Sequence, residues 1–283
     1  MNEPSRPPAP LTALILAGRR PNADDPLADL GAPHKALIEI ENLPLIQHVL
    51  EALQKTHSVK RILVSAPDDV RPAFAPLLES ANRIIPCAFS SAANSPAGSI
   101  AAAIKRAPDA GELFVTTCDH PLLSHHMISV FLEGANQANV PAAAACVTEN
   151  AYNQAYPDTQ RTFIRLKDFS FSGANMFYFQ GKAALPLVEF WRKMEMNRKR
   201  PIKMAAEIGL LTGLSYLAGA LTKDAALKRI ARKTGVQAEL IPVPFAEAAI
   251  DVDKPEDIAL VKKIFRERAL SEHLGDDPGA VPT

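Results

Sequence analysis

The stretch Leu11-Thr12-Ala13-Leu14-Ile15-Leu16-Ala17-Gly18-Arg19-Arg20 decides the fold. Leu11–Leu16 reads as a buried strand, and the chain then passes directly into a loop of small and cationic residues. Downstream, Pro33-His34-Lys35-Ala36-Leu37 sets a lysine just before the next apolar run. A strand end that offers backbone N–H groups beside fixed positive charge suits a polyphosphate. No Gly-Lys-Ser/Thr follows the strand and no G-x-G-x-x-G is present, so a Walker A loop and an ordinary dinucleotide fingerprint are both set aside.

Working outward, β-rich runs alternate with amphipathic stretches. Strands are expected at Arg61–Ser65, Arg83–Cys87 and Leu113–Thr117, and helices at Leu45–Gln54, Val70–Ser80, Ser99–Arg106 and Ser124–Ala138. That order predicts right-handed βαβ units: a Rossmann-like three-layer α/β/α fold around a mainly parallel mixed sheet. Ligands in such sheets lie beyond the carboxyl ends of strands, here after Leu16 and Thr117. The second half reads as strands at Ala142–Val147, Thr162–Leu166 and Asn175–Phe179, with the polar connection Thr148–Arg161. A helical insertion from Leu185 to about Thr234, a strand at Glu239–Val243 and a closing helix from Pro255 complete the chain. One domain over 11–270 is expected, with the helical region at about 183–234, a disordered lead-in over 1–10 and a disordered tail over 271–283.

Composition narrows the class. The 283 residues are 47% apolar, enough for a large core, and the formal net charge is zero, which argues against a nucleic-acid binder. Neutrality hides an asymmetry: Arg192 to Lys233 holds 11 Lys/Arg against 3 Asp/Glu. Such a segment favours anionic partners. Cys87, Cys118 and Cys146 form no C-x-x-C pair, and their odd number fits a reduced, cytoplasmic protein.

Three further elements carry chemistry. Asp119, in Cys118-Asp119-His120-Pro121, ends an apolar strand, where an acid could hold a divalent cation or simply cap the next helix. Asp251 and Asp253 end another strand. Asp253 is the better ligand candidate, Asp251 could orient it, and Glu256 and Asp257 look like first-turn helix acids. Gly98-Ser99, before an alanine-rich run, allows close backbone approach to a base or ribose, or serves only as a helix start.

In that order, Leu16-Ala17-Gly18, Pro33-His34-Lys35, Gly98-Ser99, Asp119 with Pro121, and Asp253-Lys254-Pro255-Glu256-Asp257 resemble the motifs of MobA-like NTP transferases. These are nucleotidyltransferases with the nucleotide-diphospho-sugar transferase type of fold, and the resemblance runs from Thr12 to Leu260. It implies that Leu16, Ala17 and Gly18 lie against the nucleotide, with Arg19 and Lys35 on its phosphates. Gly98 and Ser99 would fall near base and ribose, and Asp119 and Asp253 would bind Mg²⁺, with Mn²⁺ as a substitute. The sequence departs from the family's Gly-rich loop at Arg19-Arg20-Pro21 and adds the acidic pair Asp24-Asp25.

The implied reaction is attack by an acceptor phosphate on the α-phosphorus of an NTP. A phosphate monoester has a second pKa of about 6 and needs little help from a base, so no catalytic histidine is expected at His34 or His120. Phe171–Asn175 reads as an acceptor loop, with Gly173 at its turn and Asn175 offering an amide. Arg161, Arg165 and Lys167 could meet the acceptor phosphate. CTP is the first guess for the donor, and the acceptor is a small or lipid-linked phosphorylated compound. Ile208–Leu221 is apolar but shorter than the ~20 residues that span a bilayer. Between Arg198-Lys199-Arg200 and Lys228-Arg229, it fits core packing, a homodimer contact, or peripheral contact at the inner membrane face. A nucleotide-sugar-dependent glycosyltransferase using Asp251-Val252-Asp253, and a non-catalytic nucleotide binder, are the rival readings.

Overall fold

A computed structural model describes residues 11–19, 26–27, 30–106, 111–197 and 209–274. The expected lead-in over 1–10, the residues Arg20, Pro21, Asp24 and Asp25, the basic run 198–203 and the tail from 275 lie outside them. Strand β1 (Leu11–Leu16) leads through a 3-10 turn at Lys35–Leu37 to β2 (Glu39–Ile40) and β3 (Leu43–Pro44). That hairpin was not expected. Its turn residues Glu41 and Asn42 both take positive φ (51° and 61°), as a type I′ hairpin turn requires.

Then follow α1 (Leu45–Gln54), β4 (Val59–Ala66), α2 (Arg71–Asn82), β5 (Cys87–Ser91), α3 (Pro96–Arg106), β6 (Leu113–Thr117) and α4 (His125–Ala138). The second half contributes β7 (Ala142–Thr148), α5 (Glu149–Ala155), β8 (Ile164–Arg165), β9 (Ser170–Phe179), α6 (Leu185–Asn197), α7 (Leu210–Leu217), α8 (Lys223–Thr234), β10 (Ala238–Pro242) and α9 (Pro255–Leu274).

Among the described residues eight strands form one sheet in the order β10-β7-β9-β6-β1-β4-β5, with β8 on β9. All neighbours are parallel except β9, which runs against β6, β7 and β8. β1 sits centrally between β4 and β6. Its alternate residues serve opposite faces. Ala13 and Ile15 join the core beneath α1, α2, α4 and α9, while Leu14 and Leu16 join a second core beneath α3 and α6. Burying such a side chain stabilises by about 1.5–3 kcal/mol, so a strand apolar on both faces is held in the middle layer.

Several boundaries differ from expectation. β5 begins at Cys87 rather than ending there: Ile84 is 69% exposed, Ile85 is buried, and Pro86 cannot donate to a ladder. The expected polar connection after β7 contains α5, capped by the Thr148 hydroxyl accepting from Ala151 N. The expected loop Phe171–Asn175 lies inside β9, which is bulged against β7. The closing helix runs to Leu274, past the expected onset of a tail at 271.

Helix α4 packs tightly on the sheet at Gly134, where an added Cβ would lie 2.5 Å from Ile241 Cγ2 of β10. Gly134→Ala should therefore lower stability by about 1–3 kcal/mol despite alanine's better helix propensity, with recovery in the Gly134→Ala/Ile241→Ala pair. Urea unfolding measures both.

Candidate active site

The ends of β1, β6 and β4 lie side by side, because Cys118 N donates to Leu16 O (3.0 Å) and Ala17 N to Ser65 O of β4 (2.8 Å). Leu16 and Ala17 are buried there, while a Cβ on Gly18 would meet none of the described residues within 4 Å. Arg19 reaches Asp69 (2.5 Å) and the Pro33 carbonyl (2.7 Å), which draws the Pro33-His34-Lys35 segment toward the strand end. With both charged groups about half exposed, that ion pair contributes roughly 0–1 kcal/mol. Its partner can be exchanged for a phosphate at little cost. The His34 imidazole accepts from Ala36 N (3.1 Å) and so caps the turn that carries Lys35.

Lys35 Nζ lies 2.6 Å from Asp119 Oδ2 and 2.5 Å from Asp253 Oδ1. Burial alone would lower the lysine's pKa, but the two carboxylates outweigh it and hold the ammonium well above its ordinary value. Val252 N donates to the Asp119 carbonyl (2.9 Å), which brings the two distant acids to one edge. Helix capping does not occupy Asp119, because Ser124 caps α4. Asp257 behaves as a first-turn acid, accepting from Asp253 N and Lys254 N at 2.9 Å each.

A divalent cation fits these residues. Asp119 Oδ1 is buried without a hydrogen-bond partner among the described residues, an arrangement that is costly unless a cation or donor meets it. Mg²⁺ commonly takes only one or two carboxylates and completes its shell with water and substrate phosphates. Accordingly, no cluster of three or more His, Cys, Asp or Glu side chains is needed, and none occurs among the described residues.

Gly98 and Ser99 fall within the first turns of α3 rather than before it. Ser99 Oγ accepts from Ala93 N (2.9 Å), and a Cβ on Gly98 would stand 3.1 Å from Ala93 Cβ. Both residues thus shape the 92–95 loop, which leaves β5 at the same sheet edge as Lys35. Glu195 of α6 accepts from Ala97 N (3.2 Å) at that helix start, a contact the sequence reading missed.

On the acceptor side the expected residues separate. Gly173 is exposed in β9, and Arg165 forms a two-pronged pair with Glu149 instead of facing the centre. Lys167 is exposed, and its backbone N–H donates to Leu221 O. Asn175 turns its amide to Asp251 Oδ2 (3.2 Å), and Arg161 Nη1 meets Asp251 Oδ1 (2.7 Å). Asp251 and Asp253 therefore take different partners, so the D-x-D spelling does not yield a pair of carboxylates on one cation. His120 is 1% exposed, and burial keeps its imidazole below the ordinary histidine value despite Asp251 and Asp119 nearby.

Burial pushes the Asp251 carboxyl up, but the charge and hydrogen bond of Arg161, with help from His120, bring it below the usual carboxylate range. The folded chain thus binds this proton less readily than the unfolded chain, so stability is gained as pH rises through that range and lost as pH falls. Asp251→Asn should be less stable than the unsubstituted protein at pH 6, and the gap in urea midpoints should close below about pH 4. A gap constant from pH 3 to 6 would count against that linkage.

The model of the MobA-like NTP transferase domain matches residues 13–202. No curated protein matches the chain significantly. Among solved structures, a hypothetical transferase from Thermus thermophilus superposes with a TM-score of 0.70 at 23% identity, covering 87% of this chain and 98% of its own. A 4-diphosphocytidyl-2C-methyl-D-erythritol synthase from Anaerococcus prevotii gives 0.57 at 10% identity, covering 90% and 98%. A second structure of that name gives 0.56 at 14%, covering 92% and 100%. At these identities the structural likeness speaks for the fold.

Proposed function

This chain belongs to the MobA-like NTP transferase family and is a nucleotidyltransferase, and on that premise we propose that it transfers a nucleoside monophosphate, CMP first among them, to a phosphorylated acceptor. The convergence of Lys35, Asp119 and Asp253 at the carboxyl edge of the sheet carries the reading. The cytidyl compound named in the two synthases supports CTP as donor.

An acceptor phosphate oxygen forms a bond to the α-phosphorus as the α–β phosphoanhydride bond breaks and pyrophosphate leaves with the electron pair. Asp119 and Asp253 would hold Mg²⁺, or Mn²⁺ in its stead, which supplies charge neutralisation at the phosphates when bound. Lys35, held cationic beside the two carboxylates, would meet a phosphate oxygen at the same edge. Arg19 can exchange Asp69 for the same phosphates. Leu16, Ala17 and Gly18 form the floor under the nucleotide, and Gly98 and Ser99 shape the loop beside base and ribose. Catalysis then rests on positioning and charge, with no proton transfer assigned to histidine.

The acceptor edge is basic and apolar together. Leu214, Tyr216 and Leu217 of α7 are 53%, 44% and 83% exposed, and Ile164 on β8 is 47% exposed. No helix among the described residues is long and apolar enough to cross a membrane. This supports a cytoplasmic enzyme that touches the inner membrane face peripherally, with a lipid-linked acceptor, ahead of a homodimer contact through α7.

Screening four NTPs against phospho-sugars and phospho-alcohols should give pyrophosphate release highest with CTP. Lys35→Ala and Asp119→Ala should each lose about 10²–10³-fold in turnover, the scale for removing one preorganised charge. Turnover unchanged in both would remove the assignment. Co-sedimentation with phosphatidylglycerol vesicles at low salt should retain the protein, and Leu217→Glu should release it. Equal recovery with neutral vesicles, or a dimer disrupted by Leu217→Glu, would redirect α7 to another role.

A further inference from the structure

Two of the side chains that the sequence offered to an acceptor phosphate, Arg161 and Asn175, converge on one acid instead. Arg161 bridges Asp251 Oδ1 (2.7 Å) and Ser172 Oγ (3.1 Å), and Asn175 Nδ2 donates to Asp251 Oδ2 (3.2 Å). Both Asp251 oxygens are therefore held. The Arg161 and Asp251 side chains are only 23% and 18% exposed.

Asp251 also sits at a junction. The next residue, Val252, is fully buried and donates its N–H to the Asp119 carbonyl, and the one after is Asp253, facing Lys35. Asn175 adopts φ +47°, in the left-handed region, beside the bulge of β9 against β7. Asparagine is among the few non-glycine residues that take this conformation readily, and here it directs its amide onto Asp251. A buried ion pair adds little net stability over an apolar pair, so placement is the better account of this one.

We propose that Asp251 is a positioning residue: Arg161 and Asn175 hold it so that the Ile250–Asp253 segment presents the Asp253 carboxylate to the cation opposite Asp119. The clamp links strand β9 on the acceptor side to the donor centre, so a disturbance of β9 reaches the metal without touching it. Loss of this alignment costs rate because reacting groups displaced by about 1 Å lose roughly two orders of magnitude. The inference rests on the reading of Asp253 as a metal ligand.

The test is Mn²⁺ binding to the full chain, with Mn²⁺ alone as probe and the free-ion EPR signal as readout. It is set beside the Mn²⁺ dependence of pyrophosphate release. Asp251→Asn and Asn175→Gly should each raise half-saturating Mn²⁺ at least fivefold in both measurements. Asn175→Gly keeps the fold, because glycine takes φ +47° without strain. Arg161→Lys should recover part of what Arg161→Met loses. If Asp253→Asn abolishes Mn²⁺ binding while Asp251→Asn and Asn175→Gly leave half-saturation unchanged, the positioning role is overturned and the ligand reading stands. If Asp253→Asn itself leaves Mn²⁺ binding and turnover unchanged, the ligand reading fails and the clamp fails with it.

Discussion

One ammonium group, Lys35 Nζ, lies between carboxylates that enter from residues 119 and 253, and its position decides how three distant segments meet. Two carboxylates gathered at one site repel unless a cation intervenes. The lysine supplies that charge within the chain itself, so the carboxyl edge can be assembled before a substrate arrives. The turn capped by His34 and the reach of Arg19 to the Pro33 carbonyl set the lysine's approach, and the Val252–Asp119 backbone bond sets that of Asp253. In the proposed reaction, a metal and a triphosphate would exchange one set of charge contacts for another at a centre already ordered by the chain.

What the sequence disclosed follows from local physics. β1, α1 and β6 match their expected bounds because each pairs an unambiguous apolar pattern with clear punctuation: Gly18 after one, Lys55 after another, Asp119 after the third. β5 was displaced because Ile84-Ile85 reads as apolar strand, although only Ile85 is covered. β9 was cut short because Gly173 and Asn175 spell a turn, and only pairing with β7 makes them a bulged strand. Tertiary context decided both.

The site divides along the same line. Lys35, Asp119 and Asp253 could be singled out because each stands at the end of a predicted strand or before an apolar run. That they touch one another could not be read, since the bonds span 84 and 218 residues. The destination of Arg161 and Asn175 was hidden for the same reason. Their types fit a phosphate as well as they fit an acid, and only the folded chain places Asp251 within reach. The NTP transferase chemistry was accessible from motif order, while base and acceptor depend on loop backbone that carries no letter of its own.

The reversed direction of β9 also fixes the route of the chain beyond it. Running against β6, it starts at the edge where Asp119 lies and finishes at Phe179, opposite Leu113, at the far rim. α6 must therefore begin at that rim and climb back across the face of the sheet, until Glu195 meets the first turn of α3. Had β9 been parallel, the same helix would have descended and ended on the wrong side of the molecule. A single inverted strand thus works as a return lane, delivering the end of α6 to the rim where Lys35, Asp119 and Asp253 meet.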